Sequence, residues 1–470
     1  MAYQNRFFFF LLMIITFLSS LILFGGISEV LTSSPRISNV VPEIEKPWYW
    51  INKLKNPDHI LLSPEAIKKM NEENLKRQDL HLFRIKDLKE DWKREEVLQF
   101  LEEDWENFLN VQERRYGERE VSLGEPFWNG LKNRMDQESF QKQGRLIYAL
   151  TVKRTDIRVF PTEEPYNRAL RDELDRFQHA SLSPGISVGI YHLSKDKNWA
   201  YVQSNFIRGW VHLHDVAMAK EKMEVTDYEE KKDRLVVTGN LIHVFKDPSF
   251  QQLAFTAQMG DHYPLLEFPG DTSKTKSYYV ISIPFRDACG DLTLREGYIR
   301  EDKDIHIGPL PFTQKNIALQ AFKMLNHPYR WGDKGGGKDC SGFLWSLFRT
   351  FGIEMPRNSK EQAKIGIGLG LVRGKTIKEK QSLLDQASPM VTLLRSPGHI
   401  MLYLGKDKGQ YYVIHSVWGI QTANKSGPKF EKIGRVVISD LDLGNKGSNG
   451  SLLDQVTDIR MIGIPPEFTK

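Results

Sequence analysis

Cysteine is nearly absent: the chain has two in 470 residues, Cys289 and Cys340. That excludes a disulfide-built scaffold. With none near the N-terminus, a lipoprotein anchor is excluded as well. There is no HExxH and no clustered Cys/His spacing, so no metal and no cofactor is expected. An Arg-rich run and an RNA-binding motif are also missing, and the net charge is only +5, so nucleic acid is not an expected partner. Charge itself is missing from Phe7–Ile27, FFFFLLMIITFLSSLILFGGI. About 20 apolar residues suffice to span a bilayer, and this run is longer than the apolar core of a typical signal peptide. Arg6 just ahead of it predicts a cytoplasmic N-terminus and an exported body. Residues 1–30 therefore read as a signal peptide or an inner-membrane anchor, and the location as the periplasm or cell envelope.

The remaining chain divides by pattern. Residues 31–59 hold Pro35, Pro42, Pro47 and Pro57 and read as an irregular linker. Ser63-Pro64-Glu65 is a helix start, and Val97, Leu98, Leu101, Trp105, Phe108 and Leu109 recur at helical spacing, so residues 60–145 are a helical N-terminal unit. Short β-like runs separated by turn signals fill 146–220. After a charged linker, AKEKMEVTDYEEKKDR, they recur over 232–308. Two small β-barrels in tandem account for this. From 310 to 470 helices and strands mix: Thr313 caps a helix, and GHIMLYLG, QYYVIHSVWG and RVVISDL are strands. The fold class is multidomain α+β.

In GKDCSGFLWSLF, Asp339 is a helix cap followed by Phe343, Leu344, Leu347 and Phe348 at helical spacing. Cys340 thus falls in the first turn, where unpaired N–H groups and the helix dipole favour a thiolate. An imidazole partner would complete a nucleophile. His399 opens the strand HIMLYLG, and His415 lies in YYVIHSVWG. Neighbouring strands would set His399 against Cys340 and His415 behind it, the third group that orients the base. Cys289 has no such neighbours and is expected to be an unpaired, buried thiol.

In that order, DCSGF, GHIMLYLG and VIHSVWG resemble the Cys–His–His signature of the NlpC/P60 family of cell-wall cysteine peptidases. HPYRWG resembles its PYxWGG segment, and PRNSKEQA its PR-[TS]-S-x-x-Q-like segment. The two barrels resemble the bacterial SH3 domains of its γ-D-glutamyl-L-diamino acid endopeptidase branch, and RVFPT, NWAYVQSNFIRGWVHLHDVAMA and GYIREDKDIHIGPLPFTQKNIALQAF resemble that branch specifically. The resemblance covers most of residues 60–465. It implies two SH3-like barrels ahead of a papain-like peptidase domain, with Cys340 as nucleophile, His399 as base and His415 as orienting residue. It implies that Tyr329, Asp339 and Ser341 bind the free α-amine of an N-terminal L-alanine, with Trp331 and Ser359 lining the pocket. Glu163 and Glu164 match the place from which the branch sends an acid towards that amine. Asp333 replaces the second glycine of WGG, and VTLLRSPGH lacks the common form before the catalytic histidine.

The function implied is hydrolysis of the γ-D-Glu–diamino acid bond in peptidoglycan stem peptides. The rivals are a non-catalytic wall-binding SH3 protein and a thiol amidase or acyltransferase on the same domain type.

Overall fold

The computed structural model describes residues 37, 40–109, 115–170, 172–267, 277–302, 304–424 and 427–463. The Phe7–Ile27 segment lies outside them. Among the described residues, no helix is long and apolar enough to cross a membrane.

Three N-terminal helices are α1 (Pro64–Leu75), α2 (Arg94–Leu109) and α3 (Glu125–Met135). Ser63 Oγ accepts the Ala66 N–H at 3.2 Å, which starts α1. The second and third helices have no core of their own. Trp105 of α2 packs edge-on against Phe160 at 5.3 Å, and Trp128 of α3 against Phe177 at 6.0 Å, so both lean on the first sheet.

That sheet comprises β1 (Ile147–Thr151), β2 (Thr155–Arg158), β3 (Gln178–Leu182), β4 (Ser187–Leu193), β5 (Trp199–Ser204), β6 (Arg208–His212) and β7 (Val216–Met218). Its strand order is β3-β2-β6-β5-β4-β1-β7. The second comprises β8 (Arg234–Val237), β9 (Ile242–Phe245), β10 (Leu253–Ala257), β11 (His262–Glu267), β12 (Tyr278–Arg286), β13 (Leu292–Arg300) and β14 (Ile305–Ile307). Its order, β10-β9-β13-β12-β11-β8-β14, is the first repeated strand for strand. The stretch between them, read from sequence as a charged linker, is instead a helix over Lys222–Glu230. Val225 and Tyr228 are buried beneath it, an apolar stripe that the many charges obscured.

The C-terminal layer has α4 (Gln314–Lys323) and α5 (Cys340–Arg349) against a sheet of β15 (Ile367–Gly368), β16 (Thr392–Ser396), β17 (His399–Asp407), β18 (Gln410–Asn424), β19 (Gly427–Asp440) and β20 (Asp458–Met461). The order is β15-β20-β16-β17-β18-β19. Thr313 Oγ1 caps α4 by accepting the Asn316 N–H at 3.1 Å. Every residue of α5 is buried.

The proline-rich 31–59 stretch is not wholly a free tether. Residues 47–51 form a short helix. Trp50 is 2 % exposed, packs on Tyr412 at 5.3 Å and donates to the Ile44 carbonyl at 2.8 Å. Lys53 forms an ion pair with Asp407. Tyr49, which donates to Asp407 at 2.6 Å, and Trp50 hold this segment to the sheet, a signal outweighed in the sequence by the prolines around it.

The first sheet and the C-terminal layer meet at the turn 331–336. Gln178, which opens β3, donates to the Gly332 carbonyl at 3.2 Å, and its own carbonyl accepts the Trp331 indole N–H at 3.1 Å. Gln258 of the second barrel region donates to the Gly336 carbonyl at 2.7 Å.

Candidate active site

Asp339 stands at the cap of α5, its Oδ1 accepting the Gly342 N–H at 2.7 Å. The helix therefore begins at Cys340, whose free thiol is 7 % exposed. Gly342 is required one turn in: a Cβ there would come within 2.0 Å of the Asp333 carboxylate.

His399 opens β17 and His415 lies on the neighbouring β18. His399 Nε2 is 2.7 Å from His415 Nδ1, and His415 Nε2 is 3.1 Å from Ser439 Oγ on β19. His415 and Ser439 are fully buried. Among the described residues no hydrogen bond joins Cys340 to His399. Ser439 went unrecognised from sequence. It sits in RVVISDL, a strand with no motif around it, and only the pairing Val413↔Ser439 brings it beside His415.

Burial sets the electrostatics. It pushes the Cys340 thiol up to about 12, aided by the negative Asp339 and opposed by the Ile400 and Ser341 backbone N–H groups. The expectation that the helix start favours a thiolate is corrected here. Desolvation of a charge in a closed site exceeds the partial charge of a helix terminus, and the capping carboxylate adds repulsion. Burial likewise drops His399 to about 4 and His415 well below the usual histidine range. The resting pair is thus thiol and neutral imidazole.

Asp339 is held by Arg357, with Nη2 2.9 Å from Oδ2 and Nη1 3.1 Å from Oδ1. Ser341 Oγ donates to Asp339 Oδ1 at 3.1 Å and accepts from Arg357 Nη1 at 2.9 Å. Asp333 adds a second carboxylate. It lies 3.2 Å from Arg357 and 3.8 Å from Lys338, and it accepts the Asp339 N–H at 2.9 Å. All four charged groups are buried. Burial raises the Asp333 carboxyl, with Asp339 adding to it. The Arg357 guanidinium holds Asp339 below the usual carboxylate range despite its burial. Asp333 takes φ +58°, left-handed backbone that an aspartate tolerates and a glycine adopts freely. This explains how it stands where the family pattern has glycine.

A cleft of about 560 Å³ opens beside His399. Tyr329 and Trp331 line it, as do Arg168 and Arg176 from the loop between β2 and β3. Tyr329 is 6 % exposed, its ring 5.6 Å from Trp418, and burial raises its phenol. Ser359 begins a short helix, Ser359–Gln362, outside that lining. Gln362 of the same helix is fully buried and donates to the Ser341 carbonyl at 2.9 Å, bracing the first turn of α5. Glu163 and Glu164 border a different depression, with His212 and His214. Glu163 is bonded to His212, and Glu164 accepts the Glu118 N–H at 2.7 Å. Cys289 is exposed, not buried. It lies in the tight turn joining β12 to β13.

A thiol at a helix start, an imidazole oriented by a second imidazole and an adjoining aromatic cleft can support acyl transfer through sulfur. Residues 326–433 match the model of the NlpC/P60 family, and residues 172–212 that of the SH3 domain of the SH3b1 type. The chain is similar to the gamma-D-glutamyl-L-lysine dipeptidyl-peptidase of Bacillus subtilis, 31% identical over 100 residues. That stretch is 21% of this chain, and the chain spans about a third (31%) of the relative's length. A solved NlpC/P60 endopeptidase from Photobacterium damselae subsp. piscicida superposes with TM-score 0.72 at 20% identity, over 89% of this chain and 97% of that one. An NlpC/P60 family protein from Bacillus cereus gives TM-score 0.47 at 16% identity, over 68% and 100%. The chain carries an NlpC/P60 family domain at residues 326–433, preceded by an SH3 domain of the SH3b1 type.

Proposed function

We propose that the protein is a cysteine peptidase of the cell wall. It hydrolyses the bond between γ-D-Glu and the diamino acid in peptidoglycan stem peptides that keep a free N-terminal L-Ala. The observation that carries this reading is the His399–His415–Ser439 line beside Cys340 at the start of α5, whose sulfur meets the backbone N–H of Ile400, the residue next to His399, within a match to the NlpC/P60 family.

The chemistry follows from the resting state. The Cys340 S–H proton passes to His399 as sulfur attacks the γ-carbonyl carbon. With Nε2 engaged by His415, Nδ1 is the atom that takes it. The Cys340 backbone N–H at the helix start faces the oxyanion that develops. His399 then gives the proton to the departing amine of the diamino acid, leaving a thioester on Cys340. Water adds to that thioester with His399 as base, releasing L-Ala-D-Glu and regenerating the thiol. Tyr329, Trp331 and Ser341 line or brace the substrate side. Asp339 acts with its Arg357 partner. Requirement for a free amine is part of the proposal, and so is an envelope location, with Phe7–Ile27 as export signal or inner-membrane anchor.

Incubating the protein with L-Ala-γ-D-Glu-meso-diaminopimelate should give L-Ala-D-Glu and diaminopimelate by mass analysis. The Cys340→Ala protein should give neither. N-acetylated tripeptide should be cut more slowly, and a C-terminal fusion to an enzyme that works only in the cytoplasm should be inactive. Cleavage at another bond, or turnover by Cys340→Ala, would refute the assignment.

A further inference from the structure

Among the described residues that line the cleft beside His399 there are two arginines, Arg168 and Arg176, and no carboxylate. Of the acids flanking Arg176 in that loop, two are engaged elsewhere and the third, Asp172, makes only a long ion pair with it. Asp175 pairs with Arg158 at 2.8 Å and Lys334 at 3.2 Å. Glu173 pairs with Lys432 on β19 at 2.6 Å. Asp172 accepts the backbone N–H groups of Arg168 at 3.3 Å and Leu174 at 3.0 Å, and comes no nearer to Arg176 than 4.0 Å. Arg176 Nε is buried with no hydrogen-bond partner, although the side chain as a whole is 18% exposed. Its guanidinium lies over the Trp331 ring at 4.3 Å, and Trp331 is itself pinned by its bond to Gln178. A guanidinium seated over a fixed indole, with N–H donors unspent, is preorganised for a planar anion.

We propose that Arg176 binds a carboxylate of the substrate and makes this cleft selective for anionic peptides. This rests on the peptidase reading above and names what that site takes. Besides the C-terminal carboxylate that every such tripeptide carries, two carboxylates can be varied independently. One is the α-carboxylate of the γ-linked glutamyl residue. The other is the distal carboxylate of diaminopimelate, which lysine lacks.

The test uses the intact Cys340→Ala protein and calorimetric titration with three uncleaved peptides. These are L-Ala-γ-D-Glu-meso-diaminopimelate, its form with the glutamyl α-carboxyl amidated, and its form with lysine in place of diaminopimelate. One of the two altered peptides should bind about tenfold to a hundredfold more weakly, the range expected for a hydrogen bond to a charged group. Which one it is identifies the carboxylate. Adding Arg176→Gln should erase that difference, and Arg176→Lys should retain part of it. Equal affinity for all three peptides, or binding of none, overturns the proposal. So does a difference that survives Arg176→Gln in a protein of unchanged Tm. Cleavage by the unaltered enzyme separates the two readings. Equal kcat/KM on all three peptides removes the carboxylate site and leaves the peptidase. No cleavage, with the calorimetric difference intact, removes the peptidase and leaves the site.

Discussion

His399 Nε2 and His415 Nδ1 stand 2.7 Å apart, and behind them His415 Nε2 meets Ser439 Oγ at 3.1 Å. Only one direction of donation along this line suits base catalysis. His399 Nε2–H donates to His415 Nδ1, and His415 Nε2–H to Ser439 Oγ, so His399 Nδ1 is left as an acceptor. Reversed, Nδ1 would carry the proton and could take none. His399→Ala should therefore lower kcat by about 10²–10⁴-fold, the usual worth of a positioned base. His415→Ala should lower it less. Ser439→Ala should lower it by only several-fold, as expected for the loss of about 1 kcal/mol from one neutral hydrogen bond. Steady-state kinetics of the three variants check this order, and a Ser439→Ala defect as large as that of His399→Ala would contradict the line.

The pH dependence has a definite sign on each side. His399 is lowered in the fold to about 4 from an ordinary 6.5. The stability it contributes is full above 6.5 and is lost as pH falls through 4, at most about 3 kcal/mol. Cys340 is raised to about 12 from an ordinary 9.0. Its contribution is full below 9.0 and is lost as pH rises towards 12. Urea midpoints should therefore fall on both flanks. Replacing His399 with Gln should flatten the acid flank. kcat/KM should keep its acid limb near pH 4, because a neutral His399 is all the resting enzyme requires.

Asp339, Arg357, Asp333 and Lys338 form a closed, buried set of two negative and two positive groups. Asp339→Asn keeps a good helix cap, since Asn caps about as well as Asp. It nevertheless leaves Arg357 with half its charge partners in a site closed to water. Breaking a buried pair costs about 3–5 kcal/mol, so the stability loss should far exceed that of a lost cap. Asp333→Gly tests the left-handed position. Glycine removes a backbone cost of roughly 1–2 kcal/mol but strands Lys338 and the Asp339 N–H. The balance is destabilising, and urea unfolding that shows Asp333→Gly to be the more stable protein would reverse this account of the cluster.

What could be read in the sequence follows from what local pattern encodes. The start of α5 and its cap were legible because Asp339, the thiol and the apolar stripe lie within ten residues. The two histidines were legible because each opens or sits within an alternating strand run. The repeated sheet was visible as spacing, though not its identical strand order. Arg176, Arg357 and Ser439 were not legible as site residues. Each meets its partners across more than a dozen residues of chain or across a domain junction, and no short-range period records such meetings. The thiol's charge state was misread for a related reason. A helix start is written in the sequence, but the closure of the site that overrides it is made by β17 and by the 329–339 turn.

The two cysteines separate by exposure. Cys289 lies open in its turn, its backbone N–H bonded to Asp287 at 2.9 Å, whereas Cys340 is buried and its thiol raised. Alkylation requires a thiolate and access to it. Native protein treated with iodoacetamide at neutral pH should therefore be modified first at Cys289, with no loss of activity, and Cys289→Ala should be as active as the parent. In that background the label on Cys340 can be followed alone. A preformed thiolate–imidazolium pair would react at a rate already level by pH 7. A neutral thiol raised by burial should instead react slowly and keep accelerating from pH 7 to 10 as the thiolate fraction grows. Peptide mass mapping over time distinguishes these. A rate for Cys340 that is fast and flat across this range would show that the resting site holds the thiolate after all, and that the helix terminus, not burial, sets its charge.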